Sequence, residues 1–154
     1  MGGGVGLAAA CDISVISSTA KVGFTEVRIG VSPAIISVIC LPKMRRADAL
    51  ELMLSGEKIT AERAASVGLL NYSVDPDKMD AKVSQIVAKL IRGGPNAMNV
   101  TKSLVYRVPS MGVDEAFEWT ATKSMECFLS DEARNGIRAF RKREDAPWIP
   151  KSKL

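Results

Sequence analysis

Gly2-Gly3-Gly4-Val5-Gly6-Leu7-Ala8-Ala9-Ala10 runs directly into Cys11-Asp12-Ile13-Ser14-Val15-Ile16 near the start of the chain. Consecutive glycines free the backbone for a tight turn and for close approach of another group. The small residues behind them read as a short helix able to pack closely. Asp12 to Ile16 reads as a strand, with alternation blurred enough to predict burial on both faces. The next stretch, Ala20-Lys21-Val22-Gly23-Phe24-Thr25-Glu26-Val27-Arg28-Ile29-Gly30-Val31-Ser32-Pro33, follows a turn at Ser17-Ser18-Thr19. It supplies a second strand from Lys21 to Phe24, then a helical turn holding Glu26, Val27 and Arg28. Thr25 is placed to cap that turn and Gly30 to stop it. Strand and helix alternate here, which sets the class as α/β.

Outward from this stretch, helices dominate. Pro33 suits the start of an apolar helix that Pro42 ends. Ala47, Leu50, Met53 and Leu54 recur on one helical face as far as Gly56. Thr60 opens a short helix closed by Gly68, and Leu69 to Val74 reads as a strand. Met79, Val83, Ile86, Val87 and Leu90 form an amphipathic stripe stopped by Gly93-Gly94-Pro95. Three further helices are predicted over Ala97–Tyr106, Val113–Phe128 and Asp131–Arg143. The expected organisation is an α/β unit over 1–94 passing into a helical region over 95–154.

Composition narrows the chemistry. With 154 residues, 47% apolar and 25% charged, the chain suits one compact globular domain rather than two. It contains no histidine, the commonest general base and metal ligand. The three cysteines lack paired spacing and read as buried thiols of a reducing compartment, so no metal site is expected. The apolar run Ala34 to Leu41 is broken by Ser37 and falls far short of the roughly 20 residues that cross a bilayer. Net charge is +4, with a basic tail of Arg134, Arg138, Arg141, Lys142, Arg143, Lys151 and Lys153. Such a tail attracts phosphates on a nucleic acid or a phosphorylated cofactor, or is simply a solvated face. No aromatic-rich basic motif marks a nucleic-acid-binding module. Ser152-Lys153-Leu154 matches a peroxisomal address, relevant in a eukaryotic cell; a cytoplasmic setting is expected in a bacterium.

The order of motifs resembles the enoyl-CoA hydratase/isomerase (crotonase) superfamily. Gly2 to Ile13 is similar to its segment of three glycines, small residues and Cys-Asp-Ile, and Ala20 to Pro33 to the segment carrying a conserved-type glutamate. Leu54-Ser55-Gly56-Glu57-Lys58-Ile59-Thr60-Ala61-Glu62-Arg63-Ala64 and Val67-Gly68-Leu69-Leu70-Asn71 resemble later family segments. So do Ser130-Asp131-Glu132 to Gly136, Ala139-Phe140-Arg141-Lys142-Arg143 and Pro147-Trp148. Each motif is weak alone; their shared order across nearly the whole chain is specific. Gly2 to Gly6 with Thr25 to Arg28 most resembles bacterial methylglutaconyl-CoA hydratase-like members.

The resemblance implies a crotonase-like ββα spiral core, here covering roughly the last three-fifths of a typical member, followed by a helical trimerisation region. It implies acyl-CoA as substrate, with coenzyme A part of that substrate and no separate cofactor, and a homotrimer or hexamer. The backbone N–H of Gly3, flanked by Gly2 and Gly4, is implied to polarise the thioester carbonyl. Glu26 is implied to exchange a proton with the adjacent carbon. Phe140, Lys142 and Arg143 are implied to lie near the adenine and phosphates of coenzyme A. Two departures from the pattern matter. Gly6 stands where hydratases usually carry a second glutamate, and the segment supplying the second carbonyl-binding N–H is absent. A hydratase, an allylic isomerase with a single carboxylate and a non-catalytic remnant of the family therefore all stay open.

Overall fold

A computed structural model describes residues 3–151. The chain forms two compact units, 1–84 and 85–154.

In the first unit, helix α1 (Gly3–Ala10) is followed by strands β1 (Val15–Ser17) and β2 (Lys21–Gly23), then a 3-10 turn over Thr25–Ile29. Helices α2 (Ala34–Cys40) and α3 (Arg46–Ser55), strand β3 (Lys58–Thr60), helix α4 (Ala61–Ser66) and strand β4 (Tyr72–Val74) complete it. β1 pairs in parallel with β4, Val15 opposite Tyr72, and β2 pairs antiparallel with β3, Lys21 opposite Thr60. A side-chain clip supports the first pair: Asn71 Oδ1 accepts from the Ser14 N–H at 2.9 Å. Phe24, Leu69 and Cys40 are the largest fully buried side chains. Around them pack Val5, Ala9, Val22, Ala49, Leu52, Val67 and Leu70. Removal of so much apolar surface from water is what holds this unit together.

Helix α5 (Met79–Leu90) runs across the division between the units. Beyond it come α6 (Pro95–Arg107), α7 (Val113–Leu129) and α8 (Asp131–Lys142). The predicted helices over 97–106, 113–128 and 131–143 are thus found within a few residues. Ser130 explains the sharp start of α8, its hydroxyl accepting from the Ala133 N–H at 3.1 Å. Glu132 caps α6 from a distance, accepting from the Asn96 and Ala97 N–H groups at 2.9 and 2.8 Å.

Several expectations need correction. The first strand is only Val15–Ser17, and all three of its residues are half-buried rather than covered on both faces. Thr25 is the first residue of its turn and not its cap; Phe24 holds the cap position without a side-chain hydrogen bond. Helix α3 buries Asp48, Ala49 and Leu52, while Leu50 and Leu54, on the predicted inner face, are 51% and 71% exposed. Cys11 is exposed and Cys127 half-buried, so only Cys40 fits the buried thiol. Burial pushes the Cys40 thiol above its ordinary range, which suits a packing role and not a nucleophile.

The buried charge on α3 is matched by its neighbours. Asp48 accepts from Arg45 Nε at 2.6 Å and Arg63 Nη2 at 3.0 Å. The Arg45 hydrogen bond is the main reason its carboxyl lies below the usual carboxylate range, with Arg63 adding to it.

Candidate functional site

Glu26 sits on the Thr25–Ile29 turn, in the first unit and half-buried. What places it there is local: Phe24 is 0% exposed, and Gly30 ends the turn with φ 78°, a conformation that favours glycine. The Gly30 N–H donates to the Val27 carbonyl and the Val31 N–H to the Glu26 carbonyl, both at 3.2 Å. The Glu26 carboxylate has one oxygen, Oε2, that is buried and has no hydrogen-bond partner. Its neighbour Arg28 donates to the Ser55 carbonyl at 3.4 Å, so the turn is not built as a surface Glu–Arg pair. Buried polar atoms in folded chains are nearly always paired, and an exception marks a place where a water, a ligand or a reacting group completes the pairing.

Gly3 is the first residue of α1. Amides in the first turn of a helix have no carbonyl four residues back to bind, and the helix dipole adds positive potential there. Gly4 lines a cavity of about 160 Å³ with Val5, Ala8, Ser14, Lys21 and Leu70. A Cβ on Gly4 would meet nothing within 4 Å, so packing within the described chain does not demand glycine there. Gly6 differs: a Cβ would lie 2.8 Å from Ile36 Cγ2. A side chain at position 6, where the family pattern has a second glutamate, would therefore have to displace Ile36 of α2. Gly2 and the Ser152-Lys153-Leu154 terminus lie outside the described residues.

The remaining site residues are at the carboxy-terminal end of α8, in the second unit. Phe140 is 84% exposed, and Lys142 and Arg143 are exposed beside it. Arg143 closes the helix at φ 58°, its N–H donating to the Phe140 carbonyl at 3.1 Å. The meeting of Arg28 with Gly56 and Ser55, the contact of Ile36 with Gly6 and the Asp48 cluster are what sequence reasoning missed. Only the last left a signal, in the Arg45-x-x-Asp48 spacing. No helix among the described residues is long and apolar enough to cross a membrane.

The α/β arrangement has close counterparts. An enoyl-CoA hydratase/isomerase from Marinobacter aquaeolei superposes with a TM-score of 0.92 at 27% identity, over 97% of this chain and 57% of that one. In sequence, residues 1–151 match the profile of the enoyl-CoA hydratase/isomerase family, and the chain belongs to that family. Similar proteins include a crotonyl-CoA hydratase of Syntrophomonas wolfei, 28% identical over 98% of this chain and 58% of the relative. A short-chain-enoyl-CoA hydratase of Clostridium acetobutylicum is also 28% identical, over 91% of this chain and 54% of the relative. The chain spans little more than half the length of these relatives.

Proposed function

We propose that this chain supplies the proton-transferring part of an enoyl-CoA hydratase site. The observation that carries this reading is the buried, unpartnered Oε2 of Glu26, on the turn that the family motif picks out. Glu26 exchanges a proton with the carbon next to the thioester carbonyl. The Gly3 N–H donates to the carbonyl oxygen as negative charge develops on it, and a donor so placed typically contributes about 3 kcal/mol to lowering a barrier. Gly2 and Gly4 keep the main chain bare for that approach. Phe140, Lys142 and Arg143 offer an exposed ring and two cations to the adenine and phosphates of coenzyme A. Assembly into a trimer or hexamer through the helical region is part of the same proposal, supported by exposed Phe117 and Phe128 on α7.

Ile36 against Gly6 favours a second reading. A glutamate at position 6 has no room without moving that side chain, so a single carboxylate is left for the chemistry. One carboxylate suffices for a Δ3,Δ2-enoyl-CoA isomerase, which shifts a proton between two carbons. Assay on a panel of straight and branched 2-enoyl- and 3-enoyl-CoA esters separates the readings by product, hydroxyacyl thioester or shifted double bond. Glu26→Gln keeps the shape and cannot take up a proton; it is expected to lower turnover by about 10²–10⁴-fold, the usual worth of a general acid–base. Unchanged turnover in that variant would remove Glu26 from the mechanism.

A further inference from the structure

We propose that Arg28, laid over Gly56, is a positioning residue that aims the Glu26 carboxylate; the idea rests on the reading of Glu26 given above. The need for it lies in the turn itself. Thr25–Ile29 contains no buried residue and lacks a side-chain cap. Its 3-10 hydrogen bonding has poorer geometry than that of an α-helix. Left alone, such a turn holds its side chains loosely, whereas a reacting carboxylate needs to be fixed within about 0.5 Å.

The structure shows where the outside support comes from. Buried Phe24 anchors the turn on its amino-terminal side and Gly30 closes the other end. Laterally, Val27 and Arg28, the two residues that directly follow Glu26, rest against the carboxy-terminal end of α3. Arg28 Nε donates at 3.4 Å to the carbonyl of Ser55, one of the last-turn carbonyls without a partner inside its own helix. The guanidinium also lies at the negative end of that helix. Gly56, at φ 62°, presents no side chain: a Cβ there would fall 2.9 Å from Val27 Cγ2 and 3.1 Å from Arg28 Cγ. The long hydrogen bond is weak by itself. The aliphatic stem of Arg28 packed over the bare glycine supplies the rest of the hold.

The test reads local order and chemistry together. In the 154-residue protein, Arg28→Ala is expected to speed amide hydrogen exchange at Gly30 and Val31 about tenfold while leaving the core amide of Leu70 unchanged. It is expected to lower kcat about tenfold with KM within about twofold, because misplacement costs the transition state and not binding. Arg28→Lys, which keeps stem and charge, recovers most of both. Unchanged exchange at Gly30 and Val31, unchanged kcat, or faster exchange that extends to Leu70 would each overturn the proposal. Glu26→Gln in the same assay tells the two ideas apart. If that variant turns over like wild type, or if wild type itself shows no turnover on the enoyl-CoA panel, the catalytic reading fails and the positioning role falls with it. If Glu26→Gln is inactive and Arg28→Ala is not impaired, only the positioning role falls.

Discussion

The two units of this chain differ in what their apolar residues touch. In residues 1–84 a contiguous cluster from Val5 to Leu70 is buried. In residues 85–154, Ala139 is the one buried apolar residue among the described ones, while Phe117, Phe128 and Leu129 on α7 are each more than 70% exposed. The helices of the second unit are as clearly amphipathic as any in the first. An apolar stripe therefore tells which face of a helix seeks cover, without telling whether the same chain provides it. The proposed proton-transferring turn belongs to the unit that makes its own core, and the faces proposed for assembly belong to the unit that does not.

Truncating the core should show the first half of that contrast most strongly. Phe24→Ala removes a fully buried ring, and a loss of about 3–5 kcal/mol of unfolding free energy is expected for such a change. Urea denaturation checks it. A loss below about 1 kcal/mol would mean that the site tolerates a cavity, and that the first unit is less tightly packed than described.

The Asp48 cluster should give a smaller, pH-dependent effect within the same unit. The folded-state pKa of Asp48 is depressed from its ordinary value of 3.8, first through the Arg45 hydrogen bond. The folded chain therefore binds the proton less readily than the unfolded one. Its contribution is fully present above the unfolded value and lost as pH falls through the folded one. Asp75, held down by Lys78, acts in the same direction. The gap in urea midpoint between wild type and Asp48→Asn is expected to stay constant from about pH 7 to about pH 5 and to narrow below about pH 4. A gap that is flat down to about pH 2 would detach the ion pairs from folding.

Much of this was legible in the residues, and what was not has physical causes. Helix ends could be read where a side chain or glycine does the work locally: Thr60 as a cap, Gly30, Gly56 and Gly68 at positive φ. The turn carrying Glu26 and the helix starting at Gly3 could be placed for the same reason. The inner face of α3 could not. Ala47, Leu50 and Leu54 compete there with Ala49 and Leu52, and Asp48 argues for an outward face. Arg45 and Arg63, one of them far along the chain, make its burial possible. Strand β3 was equally hidden, since Lys58-Ile59-Thr60 has one apolar residue and exists by virtue of pairing with β2. Arg28 over Gly56 is a meeting of residues distant in sequence, and no spacing rule announces it.

The smallest expected effect on stability is the one that sharpens the contrast furthest. Phe117 is 72% exposed, so Phe117→Ser gives up little burial within one chain, and its unfolding free energy should stay within about 0.5 kcal/mol of wild type, as for most surface substitutions. Association should respond instead. A large exposed aromatic at an interface loses its contacts when truncated, and such residues are where binding energy concentrates. Sedimentation across a range of concentrations is expected to show wild type associating and Phe117→Ser shifted toward monomer. A substitution that lowers the unfolding midpoint of a dilute, monomeric sample as much as Phe24→Ala does would place Phe117 in a core. The second unit would then hold a buried core as the first does, and the contrast between them would dissolve.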